Sequence, residues 1–229
     1  MNLLSVRGLV AGPGRGRVLN GVDLDVAAGE IVALVGPAGA GKTTLLHAVA
    51  GLIPVRGGTV RLGGRDVTGM PVERLARRGL ALVPEDGALF DGLTVAENLR
   101  LGALREDRID MEPVLELFPV LRRRLDRAAG TLPYGERRMC AIARAMMGRP
   151  GLLMIDDVSY GLAPKSVDEI LLRLGDIGAM GTAILLAEQA AEVVMSVAGR
   201  ACVLEAGSVV FEGSAGRMLA DVRMRSTYL

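Results

Sequence analysis

The chain alternates short apolar runs, bounded by glycine, proline or acidic residues, with longer stretches whose apolar positions recur at helical spacing. The short runs predict β-strands, several of them buried on both faces. These strands cover residues 3–9, 18–26, 30–36, 58–62, 80–84, 152–157 and 183–187, followed by a hairpin of residues 201–205 and 209–212 about a turn at Gly207. The helical spacing covers residues 42–50, 95–103, 111–117, 136–147 and 166–174, and a short helix and a tail follow the hairpin.

This order of elements predicts an α/β fold. Strand and helix alternate through much of the chain, an arrangement that builds a mostly parallel sheet. Residues 85–150 instead carry several helices in succession, which indicates a helical lobe inserted into the α/β core. With 229 residues and no low-complexity linker, we expect one domain over residues 1–229, with a core of residues 1–84 and 151–229.

Apolar residues make up 50% of the chain, yet every apolar stretch is broken well short of the roughly 20 residues that a membrane-spanning helix needs. Even the stretch from residue 181 to residue 199 contains Glu188, Gln189 and Glu192. The N-terminus alternates like a strand and lacks the regions of a secretion signal. We therefore expect the chain to stay in the cytoplasm.

Charge and cysteine content exclude two further classes of function. The net charge is +1 and the basic residues are dispersed, so we expect no nucleic-acid partner. Cys140 and Cys202 lie far apart and His47 is the single histidine. Zinc sites and Cys–His catalytic pairs are therefore not expected, and both cysteines are interpreted as reduced structural thiols.

The strongest chemical signal is the run GPAGAGKTT between a predicted strand and a predicted helix. It comprises Gly36, Pro37, Ala38, Gly39, Ala40, Gly41, Lys42, Thr43 and Thr44. The run matches the phosphate-binding loop G-x-x-x-x-G-K-[ST], in which glycines let backbone N–H groups face the phosphates. Lys42 then reaches the outer phosphates and the Thr43 hydroxyl coordinates magnesium. We expect ATP and Mg²⁺ as cofactors; a chance match in a glycine-rich chain is the alternative.

A second signal is the run LLMIDD at residues 152–157, an apolar strand that ends in two acids. In a phosphoryl-transfer site Asp156 would hold the magnesium, directly or through water, and Asp157 would face the attacking water. An acid pair after a buried strand can also simply cap the next turn. The phosphate loop upstream favours the catalytic interpretation.

The order of these features resembles the ATP-binding-cassette (ABC) ATPase family over nearly the whole chain. Residues 132–136, LPYGE, occupy the place of the family signature Leu-Ser-Gly-Gly-Gln/Glu, and residues 141–145, AIARA, resemble the helix behind it. Further segments resemble the subgroup that powers branched-chain amino acid uptake: VPE at 83–85, LTVAENLR at 93–100, YGLAP at 160–164, EQ at 188–189 and VLEAG at 203–207. Relatives that serve urea or amides usually carry glutamine at position 85 and a different sequence around Tyr160.

The resemblance implies site residues beyond the two acids and the loop. Glu85 takes the place of the glutamine that senses magnesium and the water, although an exposed loop acid is the alternative interpretation. Gln189 takes the place of the switch histidine and can donate a neutral hydrogen bond to a γ-phosphate oxygen. Val18, Gly135 and Glu136 are expected at the nucleotide. The implied catalytic set is Asp157, Gln189 and Glu85, and the implied metal set is Thr43, Asp156 and Glu85.

The resemblance also implies a fold and partners. The fold is a cassette with a mostly parallel sheet, an N-terminal antiparallel β part and the inserted helical lobe. The chain would lie on the inner face of the cell membrane and contact permease subunits near residues 85–91. It would pair with a second ABC ATPase subunit, most simply as a heterodimer, and would never touch the transported solute.

Several positions depart from the family pattern. Pro13 stands near the place of the aromatic ring that stacks on adenine; Arg15 or Arg17 could stack instead, or both could stay solvated. Pro133 and Tyr134 replace the serine and first glycine of the signature, which removes a hydroxyl and a backbone donor.

The carboxylate of Asp157 is one methylene shorter than the glutamate usual there, so we expect slow hydrolysis. A regulatory ATP-binding module that hardly hydrolyses is therefore the competing interpretation. A third is an ABC protein acting on nucleic acid or ribosomes, which predicts coiled-coil arms or a second cassette, and the sequence contains neither.

Overall fold

The computed structural model describes residues 2–103 and 109–220, which form two β-sheets and a set of helices. The strands are β1 (Asn2–Ala11), β2 (Leu19–Ala27), β3 (Ile31–Val35), β4 (Val55–Leu62), β5 (Arg65–Asp66), β6 (Leu80–Val83), β7 (Leu152–Asp156), β8 (Ala183–Glu188), β9 (Arg200–Glu205) and β10 (Ser208–Ser214). The helices are α1 (Lys42–Val49), α2 (Val72–Arg77), α3 (Val95–Gly102), α4 (Glu112–Leu117), α5 (Pro119–Arg122), α6 (Tyr134–Met146), α7 (Pro164–Ala179), α8 (Ala191–Met195) and α9 (Ala215–Ala220), with a 3₁₀ turn at Ala129–Thr131.

The two sheets confirm the predicted fold class. The smaller sheet has the order β2-β1-β4-β5 and is antiparallel throughout. The larger sheet has the order β10-β9-β3-β8-β7-β6 and is parallel except for the β9–β10 hairpin. Because β3, β7 and β8 are parallel neighbours, their carboxyl ends meet at one edge, where ligands of open α/β sheets bind.

Side-chain alternation along the central strands divides the core into two clusters. Val32 and Leu34 of β3 face the antiparallel sheet and α1, whereas Ala33 and Val35 face the helices on the other side. The strands therefore read as continuous apolar runs because both faces are buried. Cys140 and Cys202 are buried free thiols, as predicted.

The turn into α3 is held by a dense set of polar contacts. Thr94 and Glu97 form a capping box, in which the Thr94 hydroxyl accepts from the Glu97 N–H and the Glu97 carboxylate accepts from the Thr94 N–H. The buried Asn98 amide donates to the carbonyl oxygens of Phe90 (3.0 Å), Leu93 (3.3 Å) and Thr94 (3.0 Å). The loop before α3 is thereby joined to the helix that follows it.

Some element boundaries differ from the sequence-based predictions. The helix predicted over residues 166–174 is α7, which begins at Pro164 and continues to Ala179. Gly178, near its end, packs closely on β3, since a Cβ there would lie 2.8 Å from Ile31 Cδ1. The strand predicted from residue 58 begins at Val55. The sequence analysis missed β5, α2, α5 and α8, which are too short to show periodicity. The predicted tail lies beyond residue 220, outside the described part.

Within the described part of the chain, no helix combines the length and the apolar character needed to cross a bilayer.

Candidate nucleotide site

The phosphate loop joins the end of β3 to the start of α1. Gly41 precedes the helix with a φ of 111°, in the region that favours glycine. A Cβ on Gly41 would lie 2.9 Å from Leu19 Cδ2 and 3.3 Å from Val18 Cγ1. Val18 thus lies beside the loop. The first N–H groups of α1 lack intrahelical acceptors and can bind an anion.

The loop leaves its tip open to solvent. Pro37, Ala38 and Gly39 are exposed, whereas Gly36 and Ala40 are buried beneath them. Beyond the tip, Thr43 is exposed and Thr44 is half-buried at the start of α1. The exposed tip can therefore wrap a phosphate group.

Lys42 lies between the loop and the acids. Its Nζ donates to the carbonyl oxygens of Gly36 at 2.7 Å and Pro37 at 3.2 Å. Burial lowers the pKa of the Lys42 ammonium, and the negative charges of Asp157, Asp156 and Glu188 oppose that shift. The Lys42 ammonium therefore faces three acids at the carboxyl edge of the sheet.

The acid pair follows β7, where the sequence predicted it. Asp156 pairs with Ala187 of β8 in the sheet register and is buried. Asp157 leaves the strand with a φ of 52°, and its N–H donates to the Ala187 carbonyl oxygen at 2.9 Å. Aspartate enters this left-handed region at lower cost than most residues, so the turn suits it.

Glu188 is a third acid of the site, to which the sequence analysis assigned no role. It ends β8 and is 1% exposed. Its carboxylate accepts from the backbone N–H groups of Ser159 (3.0 Å), Gln189 (2.8 Å) and Ala190 (3.2 Å). An acid at the end of a buried apolar strand was the available signal, the same one that identified Asp156.

The acids change one another's protonation. Burial raises the pKa of Asp157 to about 7, helped by the negative charge and hydrogen bond of Glu188 and by the charge of Glu85, while Lys42 opposes the shift. Glu85 is therefore close enough to act on Asp157 electrostatically, although its own side chain is exposed. Near neutral pH the Asp157 carboxyl can both hold and release a proton.

A buried arginine that the sequence analysis did not single out lies behind the acids. Arg138 of α6 donates to the carbonyl oxygens of Pro84 (2.6 Å), Glu85 (3.0 Å) and Asp157 (2.9 Å), and also to that of Asp156. Beside Arg137 in sequence it looks like an ordinary surface arginine, so nothing in the local pattern revealed it.

The signature segment contacts other parts of its own chain. The Tyr134 ring packs on Gly161, where a Cβ would lie 3.1 Å from Tyr134 Cε1, and Gly135 lies against the Ser166 hydroxyl. The Glu136 carboxylate accepts from Arg124 Nε at 2.9 Å. Across the described ranges, no hydrogen bond or ion pair joins Gly135 or Glu136 to the phosphate loop.

Two other predicted positions lie at the margin of the site. Gln189 follows β8 and is exposed, and its backbone N–H donates to the Glu188 carboxylate. Residues 13–17 form an exposed loop before Val18, in which Arg56 donates to the Gly14 carbonyl oxygen. Both Arg15 and Arg17 lie on this exposed loop.

The oxygen ligands available at the site fit a magnesium ion that is also coordinated by the phosphates of a nucleotide. The Thr43 hydroxyl and the Asp156 and Glu85 carboxylates are oxygen ligands, which magnesium prefers. In residues 2–103 and 109–220, no three or more His, Cys, Asp or Glu side chains are arranged as a metal cage. Magnesium in nucleotide sites needs no such cage, since one or two protein oxygens and the phosphates hold it.

Comparison with known proteins places this site in a family. The family described as "ABC transporter" matches residues 19–159. The chain is 39% identical to the high-affinity branched-chain amino acid transport ATP-binding protein BraG of Pseudomonas aeruginosa, over 94% of each chain. It is 36% identical to the probable branched-chain amino acid transport ATP-binding protein LivF of Archaeoglobus fulgidus, over 88% of each.

Other matches widen the range of transported substrates and support the fold. The chain is 31% identical to the lipopolysaccharide export system ATP-binding protein LptB of Haemophilus influenzae, over 100% of this chain and 98% of LptB. A crystal structure of a nucleotide-free ATP-binding cassette from an ABC transporter superposes with a TM-score of 0.89 at 24% identity, over 100% and 99% of the two chains. The chain belongs to the ABC transporter family, as a nucleotide-binding subunit whose ATPase activity is coupled to transport.

Proposed function

We propose that this subunit powers the uptake of branched-chain amino acids. The convergence of Lys42, Asp156, Asp157 and Glu188 on the phosphate loop supports hydrolysis. The substrate class rests on the relatives: BraG and LivF are 39% and 36% identical, whereas LptB is 31% identical. Lipopolysaccharide export is the second candidate because LptB matches the chain over its whole length.

Each residue of the site has a role in this proposal. The N–H groups of residues 36–44 and the Lys42 ammonium bind and orient the phosphates. Asp157 takes the proton of the attacking water, Gln189 donates to a γ-phosphate oxygen, and Glu85 orients the water. The Thr43 hydroxyl and the Asp156 and Glu85 carboxylates would hold a magnesium ion, which would supply positive charge to neutralise the phosphates.

The proposed contact with the permease is an apolar groove of about 630 Å³ between the core (residues 1–84 and 151–229) and the helical lobe (residues 85–150). Large exposed apolar side chains, Leu52, Val72 and the 56% exposed Phe90, line it. Exposed apolar surface of this kind favours a protein partner. The chain would then lie on the inner face of the cell membrane.

The loop of residues 85–91 connects this groove to the nucleotide site. Glu85 lies at one end, close to Asp157, and Phe90 lies at the other end, in the groove. Between them Arg144 donates to the carbonyl oxygens of Gly87 and Ala88 and lies over the Phe90 ring, 5.9 Å from its centroid. A displacement of Phe90 by the permease would therefore also displace Glu85.

The test is the composition and activity of the assembled complex. We expect the chain to co-purify from its native membrane with permease subunits and a second, different ABC ATPase subunit. Reconstituted vesicles should take up leucine in an ATP-dependent manner, and Phe90→Glu should abolish co-purification without weakening ATP binding. Recovery of lipopolysaccharide-export components instead would overturn the substrate proposal, and a complex without ATP turnover would favour the regulatory interpretation.

A further inference from the structure

Arg138 joins two segments that belong to different parts of the molecule. Its Nη1 donates to the carbonyl oxygens of Pro84 and Glu85, which follow β6 and begin the loop to the lobe. Its Nη2 donates to those of Asp156 and Asp157, which end β7. Each nitrogen thus binds two consecutive residues, and Arg138 itself lies on the lobe helix α6.

The side chain is almost fully enclosed. Arg138 is 5% exposed, and no side-chain carboxylate forms an ion pair with it in the described part of the chain. Burial lowers its pKa, while electrostatic interactions with Tyr134 and with the acids Asp157, Asp156 and Glu188 oppose the shift. A buried guanidinium stays protonated and needs acceptors, so the four carbonyl groups stabilise it through its planar fork.

We propose that Arg138 is a positioning residue that sets the placement of Glu85 relative to Asp157, and so relates the orientation of the helical lobe to the geometry of hydrolysis. This inference rests on the proposed roles of Glu85 and Asp157. Because the fork is rigid, it fixes the separation of the Nη1 and Nη2 carbonyl pairs, and a shift of α6 that breaks either set of hydrogen bonds removes that restraint. One pair includes the Glu85 carbonyl and the other includes the Asp157 carbonyl.

A purely structural arginine would stabilise the fold and leave the site geometry unchanged. Arg173 of α7 is the control for loss of a helix arginine away from the site, since it is half-buried and pairs with Asp176 at 3.2 Å. The variants are Arg138→Met, which removes every donor, Arg138→Lys, which keeps the charge but replaces the two-pronged fork by one ammonium, and Arg173→Met. All are measured in the assembled transporter complex.

We expect kcat to fall at least tenfold in Arg138→Met and less in Arg138→Lys, with the Kd for a fluorescent ATP analogue within twofold of the unaltered protein. Hydrogen exchange of the 84–91 backbone, measured without nucleotide, should quicken in the same order. Arg173→Met should leave all of these within twofold. If Arg138→Met does not assemble, Arg138→Lys alone must show the lower kcat at unchanged Kd.

Wild-type kcat in Arg138→Lys, or equal losses of ATP affinity and kcat, would overturn the inference. Glu85→Ala and Asp157→Asn separate it from the proposed function; alanine is used at position 85 because glutamine there is the residue that the family usually carries. If these two lower kcat and the Arg138 variants do not, only the inference fails. If neither the Glu85 variant nor the Asp157 variant lowers kcat, the proposed roles of Glu85 and Asp157 fail.

Discussion

Lys42 serves the loop that contains it as well as any bound phosphate. The sequence analysis assigned this side chain only to the outer phosphates of the nucleotide. Its two hydrogen bonds, to Gly36 and Pro37, show that the ammonium also holds the loop carbonyls. Substitution at this position therefore removes both a phosphate ligand and a restraint on the loop.

Lys42→Ala should weaken magnesium-dependent ATP binding by well over tenfold, that is by more than about 1.4 kcal/mol. Titration calorimetry measures the effect directly. Lys165→Ala is the matched control because Lys165 is the other lysine of the chain and is exposed at the start of α7. Equal ATP affinity in the Lys42 variant would contradict the phosphate-loop assignment.

Asp157 should give hydrolysis a pH dependence near neutrality. Its pKa, raised to about 7, means that the carboxyl is neutral below that pH and ionised above it. Only the ionised form accepts a proton from water, so kcat/KM should rise with pH through about 7. Glu188→Gln should move the inflection to lower pH, because it removes a negative charge that raises the Asp157 pKa.

The measurement is a pH profile of kcat/KM for ATP on the assembled complex, with and without Glu188→Gln. A profile that stays flat from about pH 6 to about pH 8 would exclude Asp157 as the proton acceptor.

At the scale of elements, the two sheets are joined by a cluster about Arg200 at the start of β9. Its Nε and Nη2 donate to the two carboxylate oxygens of Glu30 at 2.8 and 3.0 Å. The same guanidinium binds Glu212 of β10 and the Asp25 carbonyl oxygen of β2. One side chain thus connects both sheets near the residue before β3, which leads to the phosphate loop.

Glu30→Gln should lower the free energy of unfolding by about 1–2 kcal/mol at neutral pH, after allowance for partial exposure. Burial alone raises the Glu30 pKa, but Arg200 and the Ala27 N–H lower it below its ordinary value. The stabilisation is therefore complete above the unfolded-state pKa, roughly 4.3, and is lost as the pH falls through the folded-state pKa.

Urea unfolding at several pH values measures this effect. Glu112→Gln is the control, since Glu112 and Arg122 form a pair with about half of each side chain exposed, and it should destabilise the fold less than Glu30→Gln does. Equal changes in the free energy of unfolding for the two substitutions would show that the Arg200 cluster stabilises the fold no more than an exposed ion pair does.

At the scale of the whole molecule, the unusual signature affects assembly. Pro133 precedes α6 with no side-chain cap, and the Tyr134 ring rests on Gly161 of the same chain. In the family arrangement that the resemblance implies, each ATP lies between one chain's phosphate loop and the other chain's signature. A signature without its hydroxyl and first glycine should hold the partner's ATP poorly.

The purified chain should therefore remain monomeric without its permease, even with excess ATP and magnesium. Pro13, near the place of the family's adenine-stacking ring, should weaken the ATP-bridged contact further, since base stacking contributes roughly 1–3 kcal/mol. Light scattering tests this expectation. A tight homodimer induced by ATP would restore the signature as functional and contradict the proposed heterodimer.

Repair of the two defects should distinguish a heterodimer from a homodimer. In a heterodimer Asp157→Glu acts on the site of this chain's Lys42, and the double change Pro133→Ser, Tyr134→Gly acts on the partner's site. Each repair should raise turnover several-fold and independently, because general-base placement contributes roughly 10²–10⁴ in rate. In a homodimer the repairs share every site and should be strongly non-additive.

Steady-state ATPase rates of the complex with each repair and with both decide between these outcomes. The φ of 52° at position 157 suits aspartate better than glutamate, so unfolding of Asp157→Glu must be measured as a control. No gain from either repair would favour the regulatory interpretation of Asp157.

The sequence alone determined the fold class, the phosphate loop and the acid strand, because each depends on residues that are adjacent in the sequence. The conformation of residues 36–44 follows from the positions of their glycines and from the strand and helix on either side. The apolar run within residues 152–157 predicts a buried strand. Local steric and hydrophobic rules are sufficient for such segments.

Only the tertiary structure decided which groups meet at the site and what charge they carry. Glu188 reaches Asp157 because β8 pairs with β7, and Arg138 reaches four carbonyl groups because α6 packs behind the ends of β6 and β7. The Asp157 pKa of about 7 depends on burial and on neighbours that are distant in sequence. Desolvation and charge interaction act through space, so no local pattern in the chain encodes them.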